Sequence, residues 1–352
     1  MKKLIDACKS ENIIIGWLFA YVHFVVEVTC FYFVAKATNN SPIVWLIPLV
    51  YDGLAFAPQA VIGNISDKHP NLNMGVIGMG LMALSYLLYF TFPLYVFIPL
   101  TILCIGNGFV HVHGAQVTLK NSKGKLAHSA IFVGGGSFGV ILGRLLATTF
   151  VPYWAIWILI LTSIPFILLA DTYYSDESSC KDFNYANPKV SPMLVVLLAT
   201  FVVIVRGYVG YAIPTSWNTT VSQTVALFFI MGIGKALGGL LADAYGVKKT
   251  AIICSILAWP FLCLGDHLMY VSLIGVMLFS MTMSITLAAI TSVLKNKSGL
   301  GFGFTTIGLF LGTAPIFYIK AAHFNVQVAL ITLMTLICTV ILSIILKKDE
   351  VK

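Results

Sequence analysis

The chain has 352 residues, of which 59% are hydrophobic and only 10% are charged. A soluble domain of this size would carry about a quarter charged residues, so this surface must face lipid. The formal net charge of +8 does not indicate a nucleic-acid partner, because the basic residues form no patch with interleaved aromatics. The seven cysteines lie singly and none has a metal-ligand spacing, so we expect packing residues, no metal site and no cofactor.

Apolar stretches long enough to cross a bilayer, about 20 residues each, follow one another along the chain. The first is too long for the core of a signal peptide, so we interpret it as a retained span. Twelve spans are predicted, over Ile13–Ala35, Ile43–Ile65, Met74–Thr91, Leu94–Val117, Leu126–Phe150, Tyr153–Ala170, Ser191–Ile213, Val221–Ala242, Thr250–Leu264, His267–Leu294, Gly299–Ile319 and Val326–Leu346. The third and the ninth are short, which leaves eleven as the alternative count.

One long polar stretch, Asp171–Val190, divides the chain into halves. We therefore expect an all-α integral membrane protein with an N-terminal six-helix bundle at 1–170, a cytoplasmic inter-bundle loop at 171–190 and a C-terminal six-helix bundle at 191–352. Lys and Arg in the connections fall almost entirely on one side. The positive-inside rule then places both termini in the cytoplasm and the protein in the inner or plasma membrane.

Two landmarks recur about half a chain apart. The stretch 63–68 reads Gly, three residues, Asp and then Lys, and 239–249 repeats the Gly and the Asp before a turn with two lysines. A Leu-Lys-Asn triplet at 119–121 returns at 294–296. Two unlike landmarks at one spacing indicate two pseudo-symmetric bundles.

Twelve spans in two halves, with Gly-x-x-x-Asp turns after the second and the eighth, resemble the major facilitator superfamily of secondary transporters. The resemblance covers the whole chain in topology and only these two turns in motif. The first turn departs from the family pattern, with His69-Pro70 in place of the usual Gly. The resemblance implies a latch that closes the cytoplasmic side, made of Gly63, Asp67, Lys68, Gly239, Asp243, Gly246, Lys248 and Lys249.

The chemistry of these turns supports a latch independently of the resemblance. Asp67 and Asp243 lie at helix ends, where a carboxylate can accept hydrogen bonds from the first turn of a helix in the opposite half. Gly63 and Gly239 would let neighbouring helices approach closely. A solvated helix cap is the alternative interpretation.

Ionisable groups inside the spans cost about 2.5–3.5 kcal/mol each on an insertion scale, so each needs a partner or a water-filled cavity. By depth along the helices, Glu27, Asp52 and the arginines form an outer layer, and Gln59, His111 and Lys235 form an inner one. We expect a central cavity for substrate and coupling ion that is lined by His23, Glu27, Asp52, Gln59, Asn107, His111, Arg144, Arg206 and Lys235.

Glu27 stands one helical turn after His23, so both side chains point to the same side. Such a carboxylate can change its protonation when the cavity switches sides. A structural ion pair of Glu27 or Asp52 with Arg144 is the alternative. The flat donor fork of an arginine suits a carboxylate or phosphate on a substrate, although an arginine can also merely neutralise an acid.

His111 and His113 diverge on a helix, which disfavours a metal site at that pair. The chain has no nucleotide-binding loop with a lysine and no nucleophile–base arrangement, so we expect neither an ATPase nor a membrane enzyme.

We predict a monomeric secondary transporter of a small solute with an anionic group, driven by protons or another coupling ion through alternating access. Efflux of amphipathic or cationic compounds is the alternative within transport. A transport-incompetent sensor or scaffold with the same fold is the alternative from another class.

Overall fold

The computed structural model describes Ala7 and residues 12–39, 44–92, 95–173, 182–317 and 324–349. Within these residues, 12 helices are long and apolar enough to cross a membrane, which confirms the predicted all-α architecture and the count of twelve over eleven. Spans 1 to 12 are Ile13–Asn39, Leu46–Lys68, Met74–Thr91, Phe97–Lys120, Ala127–Ala147, Tyr153–Thr172, Pro192–Ala212, Val221–Tyr245, Val247–Leu264, Met269–Val293, Ser298–Phe317 and Phe324–Ile345.

Three spans depart from a single regular helix. Span 2 consists of Leu46–Phe56 and Gln59–Lys68, and Pro58 at the junction lacks the backbone N–H that would continue the helix. Span 10 consists of Met269–Ser280 and Met283–Val293, and span 11 ends in the 3₁₀ turn Ala314–Phe317. These breaks could not be placed from hydropathy alone, since each of these spans is as a whole apolar enough to cross a membrane.

Several predicted boundaries are corrected by the structure. Span 1 runs on to Asn39 instead of ending at Ala35. Span 9 begins at Val247 instead of Thr250, because one residue, Gly246, makes the whole turn from span 8. Its φ of 108° lies in the region that only glycine adopts readily. The predicted ends at Ile43, Leu94 and Ile319 lie outside the described residues.

Large apolar side chains cover the outer surface of the spans. Trp17, Phe90 and Trp154 are all more than half exposed. A contiguous apolar surface on twelve spanning helices is what a multi-pass membrane protein presents to lipid tails.

Glycines allow span 1 to lie directly against span 5. A side-chain carbon at Gly135 would collide with the backbone of Ala20, and one at Gly143 would meet the backbone of Val28. Close backbone contact of this kind is how helices associate where no hydrophobic effect drives them together. Span 5 is thereby held against the helix that carries Glu27.

Of the predicted inter-bundle loop, Asp171 and Thr172 belong to span 6, and residues 182–190 form a docked strap that contacts several spans. The Tyr185 hydroxyl donates to the Gly124 carbonyl at 2.5 Å, and the Tyr185 N–H donates to Ser292 Oγ at 3.0 Å. The N–H of Asn187 donates to the carbonyl of Ile345 at 2.8 Å. Burial and then the nearby negative charges raise the pKa of Tyr185, so its phenol remains a hydrogen-bond donor.

We expect Gly135→Ala to lower the midpoint of thermal unfolding in detergent. The added methyl group meets the backbone of span 1, and overpacking of this kind costs about 1–3 kcal/mol. The matched control is Gly80→Ala, on the exposed face of span 3, where nothing lies within 4 Å of the new carbon. A loss of stability in the control as large as in Gly135→Ala would contradict the close contact.

Candidate functional site

One hydrogen-bonded contact joins span 2 to span 11 at one end of the molecule, which we call the latch end. Asp67 accepts hydrogen bonds from the backbone N–H of Gly299 at 3.1 Å and of Leu300 at 2.9 Å. Gln116 Nε2 donates to the same carboxylate at 2.7 Å, and Ser66 Oγ donates to the Gln116 side-chain oxygen at 2.5 Å. Gln116 and Ser66 thus fix the position of the Asp67 carboxylate. Neither residue was predicted from the Gly-x-x-x-Asp motif.

A second contact of the same kind joins span 8 to span 5. Asp243 accepts hydrogen bonds at 2.9 Å from the backbone N–H groups of both Leu126 and Ala127. N–H groups in the first turn of a helix have no partner within that helix, and the helix dipole favours a negative charge there. Each half of the chain thus caps a helix of the other, in the arrangement that the sequence analysis expected.

The two motif glycines sit at the same crossings. A side-chain carbon at Gly63 would collide with the backbone of Gly299, and one at Gly239 would meet Ala130 and the backbone of Leu126. The glycines therefore let each aspartate come within hydrogen-bonding distance of the opposite helix.

The other predicted latch residues do not join the halves. Lys68 is exposed, and Lys248 Nζ bonds to backbone carbonyls at the end of span 12. Asp349 accepts hydrogen bonds from the N–H of Lys248 at 3.1 Å and of Lys249 at 2.8 Å, and Gly246 leaves room for it. These residues were predicted as latch members because they share the motif, but their contacts hold spans 9 and 12 together.

A cavity of about 370 Å³ lies at the opposite end, which we call the cavity end. It is walled by spans 1, 2, 5, 7 and 11, so residues of both halves face it. Of the residues predicted for a central cavity, Asp52 and Arg144 line this one. Neither forms a hydrogen bond or ion pair with another described residue, so the predicted alternative of an ion pair with Arg144 is not observed.

Three ionisable side chains from spans 1 and 4 form a buried group, which we call the triad. His23 Nε2 and His111 Nε2 are 2.9 Å apart. Glu27 Oε1 lies 3.4 Å from the first of these nitrogens and 3.2 Å from the second. All three residues are less than 10% exposed.

Counting hydrogens shows that the triad must hold a cation. His23 Nδ1 lies 2.9 Å from the Phe132 carbonyl, and His111 Nδ1 lies 3.0 Å from the Asn107 carbonyl. A carbonyl only accepts, so both Nδ1 atoms carry hydrogen. In neutral histidines the two Nε2 atoms then have only lone pairs, and these point at each other and at a carboxylate. One proton or metal ion must lie among them.

Span 5 and two phenylalanines shape the space around the triad. A side-chain carbon at Gly136 would collide with the ring of His23, and one at Gly139 would meet Glu27 Cβ. The Phe132 ring lies 4.9 Å from that of His23, and Phe302 of span 11 stacks on His111 at 6.5 Å. Phe302 brings the second half of the chain into contact with the triad.

A polar connection leads from the cavity towards the triad. Tyr51 lines the cavity, and its hydroxyl accepts a hydrogen bond from Asn107 Nδ2 at 3.2 Å. The backbone carbonyl of Asn107 is the partner of His111 Nδ1. Glu27 precedes the cavity residue Phe31 by four positions, which is about 6 Å along a helix. No pattern in the sequence would have predicted Tyr51 as a residue of this site.

The remaining predicted cavity residues, Gln59, Arg206 and Lys235, do not line this cavity and lie in helix contacts. Gln59 donates to the carbonyl of Ala55 in its own span. Arg206 donates to the Phe279 carbonyl at 3.4 Å, where the break in span 10 leaves the end of a helix that favours a cation. Lys235 Nζ donates to Ser137 Oγ of span 5 at 2.8 Å.

The predicted two layers are also corrected. Glu27 was expected nearer the cavity end and His111 nearer the latch end, yet they are in contact. Span 1 extends further than predicted, to Asn39, so Glu27 lies about one helical turn deeper than its assumed helix end implied.

Among the described residues, the triad is the group whose donor atoms could hold a metal ion, with all three atoms within 4.8 Å of one another. Tetrahedral zinc holds two nitrogens at about 2.0–2.1 Å, which sets them roughly 3.3 Å apart. The observed 2.9 Å between the nitrogens is shorter and matches an N–H···N hydrogen bond. The spacing favours a proton over zinc.

Comparison with solved structures identifies the fold. The chain aligns over 94% of its length with 98% of a single-residue variant of the Escherichia coli fucose:proton symporter, FucP, at a TM-score of 0.66 and 15% identity. It aligns over 94% of its length with 99% of a major facilitator superfamily transporter, FucP, in the outward conformation, at a TM-score of 0.63 and 16% identity. It aligns over 96% of its length with 99% of the human organic anion transporter MFSD10 (TETRAN), at a TM-score of 0.59 and 13% identity.

The chain has the major facilitator fold. No protein-family model and no curated protein matches the sequence. The predicted fold is thus confirmed by shape, at identities of 13% to 16%.

Within this fold, we expect Asp67→Asn and Asp243→Asn to populate a state that is open at the latch end. Each variant weakens hydrogen bonds to a charged acceptor, which contribute about 1.5–3 kcal/mol each. Distances between spin labels at Lys68 and Lys297, exposed residues of opposite halves, should shift towards longer values. The control is Asp182→Asn, which removes an exposed carboxylate of the strap. If the distribution of distances between the two labels is unchanged in both latch variants, the latch is refuted.

Proposed function

We propose that this chain is a secondary transporter that moves a small solute with an anionic group together with a proton, by alternating access between two bundles at 1–170 and 191–352. The observation that carries the proposal is the triad, which is stable in its observed form only with one bound cation. A buried site that takes up and gives up one proton is what proton coupling requires.

The state of the molecule supports alternating access. Both aspartates are bonded at the latch end while a cavity lies at the cavity end. The structural neighbours include a fucose:proton symporter and an organic anion transporter, which supports secondary transport as the general activity. Lys68, Lys248 and Lys297 lie at the latch end, so the positive-inside rule supports a cytoplasmic latch end in the cell membrane.

The triad suggests how a proton is coupled to movement. With the proton present, His23, Glu27 and His111 can stay together. Without it, three acceptor atoms face each other in a site with little water, and their repulsion drives them apart. Because Phe302 stacks on His111, a displacement of this ring is felt directly by span 11 of the other half.

Arg144 provides the contact for an anionic group. It lines the cavity, forms no ion pair with any described residue and lies between the rings of Phe31 and Phe228 at 5.0 and 5.5 Å. A guanidinium held by aromatic faces keeps its donor edge available for a carboxylate or phosphate.

We expect Glu27→Gln to abolish proton-driven accumulation while exchange of solute across the membrane continues. A gradient of one pH unit supplies about 1.4 kcal/mol per proton, which supports up to about tenfold accumulation. In proteoliposomes with such a gradient, the accumulation ratio of the variant should fall to one. Accumulation at the level of the unmodified protein would exclude Glu27 as part of the proton site.

A pair of histidine variants separates a role in the triad from general damage. His111→Gln should lose coupling as Glu27→Gln does, since it removes the nitrogen that shares the proton. His113→Gln is the matched control, because His113 is also buried in span 4 but contacts Asp171 at 3.1 Å outside the triad. Equal loss in both variants would indicate a structural effect.

Removal of metal tests the alternative occupant of the triad. We expect the purified protein to contain well under one equivalent of transition metal by elemental analysis, and treatment with a chelator to leave proton-coupled uptake unchanged. Loss of uptake on chelation and its recovery with zinc would replace the proton by a metal ion in this proposal.

A further inference from the structure

The cavity carries one positive and one negative side chain that do not satisfy each other. Asp52 on span 2 and Arg144 on span 5 both line it, and they form no ion pair. The other lining residues among those that the structure describes are uncharged. A charge without an ion-pair partner is costly next to a largely apolar wall, so a bound molecule that pairs with both groups would be stabilised here.

We propose that the transported solute is a zwitterion, an amino-acid-sized molecule whose carboxylate binds Arg144 and whose ammonium group binds Asp52. This deepens the proposed function, on which it rests. A purely anionic solute would pair with Arg144 and leave Asp52 unpaired beside its negative charge. A purely cationic solute would do the reverse, and only a molecule with both charges satisfies both side chains.

The size and the rest of the wall limit the solute further. A cavity of about 370 Å³ is near the lower end of ligand sites, which span about 300–1,000 Å³. Its apolar wall includes Val34 on span 1 and Ile316 and Phe317 on span 11. The solute is therefore a small zwitterion with an apolar side chain.

The two halves contribute differently to this site. Asp52 and Arg144 belong to the first six spans, whereas Tyr211, Ile316 and Phe317 belong to the last six. Charged contacts on one half fix the orientation of the solute, and apolar contacts from the other half can close over it. The apolar half then distinguishes side chains, while the charged half distinguishes zwitterions from other solutes.

Binding to purified protein without any gradient tests the inference. The probes are leucine, N-acetyl-leucine, leucine amide and N-acetyl-leucine amide, which share a side chain and present both charges, the negative charge alone, the positive charge alone and neither. We expect leucine to bind about tenfold or more tighter than each of the other three, since hydrogen bonds to charged groups are the strong ones. Binding of the N-acetyl acid or the amide as tightly as leucine overturns the proposal.

Two variants test which side chain binds the carboxylate of the solute and which binds its ammonium group. Arg144→Gln should reduce the affinity for leucine to that for leucine amide, and leave the affinity for the amide unchanged. Asp52→Asn should reduce the affinity for leucine to that for the N-acetyl acid. His267→Gln is the control, because this residue is exposed near the cavity end without lining the cavity. Equal loss for every probe in both variants would contradict the assignment.

The side chain is tested separately by a panel of the twenty standard amino acids in a thermal-shift experiment. Stabilisation by the apolar members supports the proposal, and no stabilisation by any member overturns it.

The outcome is independent of the proton proposal. Selective zwitterion binding with coupling intact in Glu27→Gln would reject only the proton site. Coupled uptake of an organic anion, with no binding of any amino acid, would reject only the zwitterion.

Discussion

The contact between His23 and His111 cannot exist between two neutral imidazoles of the tautomer that their backbone partners impose. Both rings direct a hydrogen at a carbonyl, so the two facing nitrogens have only lone pairs to offer. In water such a conflict would be relieved by solvent, but this group is buried between helices. The close approach of spans 1 and 4 at these two rings therefore requires a proton or metal ion between them.

Side chains also satisfy backbone groups at several helix ends. At the latch end, two carboxylates satisfy backbone N–H groups that their own helices leave without partners. Arg206 satisfies a carbonyl where span 10 is broken. Arg144 and Asp52 line the cavity at the other end and form no ion pair with a described residue.

The sequence was sufficient for the features that depend on local patterns. Hydropathy predicted the number of spans. The repeated Gly-x-x-x-Asp turns predicted that Asp67 and Asp243 bond to helices of the opposite half. One-turn spacing placed His23 beside Glu27. The partnership of Glu27 with His111 was missed, because it depends on how far span 1 continues and on the contact between two helices distant in sequence. Tyr51 and Phe302 were missed because single aromatics in an apolar span look like packing residues.

The strap at 182–190 has a mechanical consequence. Tyr185 is bonded at once to Gly124 in the first half and to Ser292 in the second. Any separation of the halves at that end must rupture one of these bonds in addition to the two carboxylate contacts. The segment that connects the halves therefore acts as a third fastener between them, beside the two carboxylate contacts.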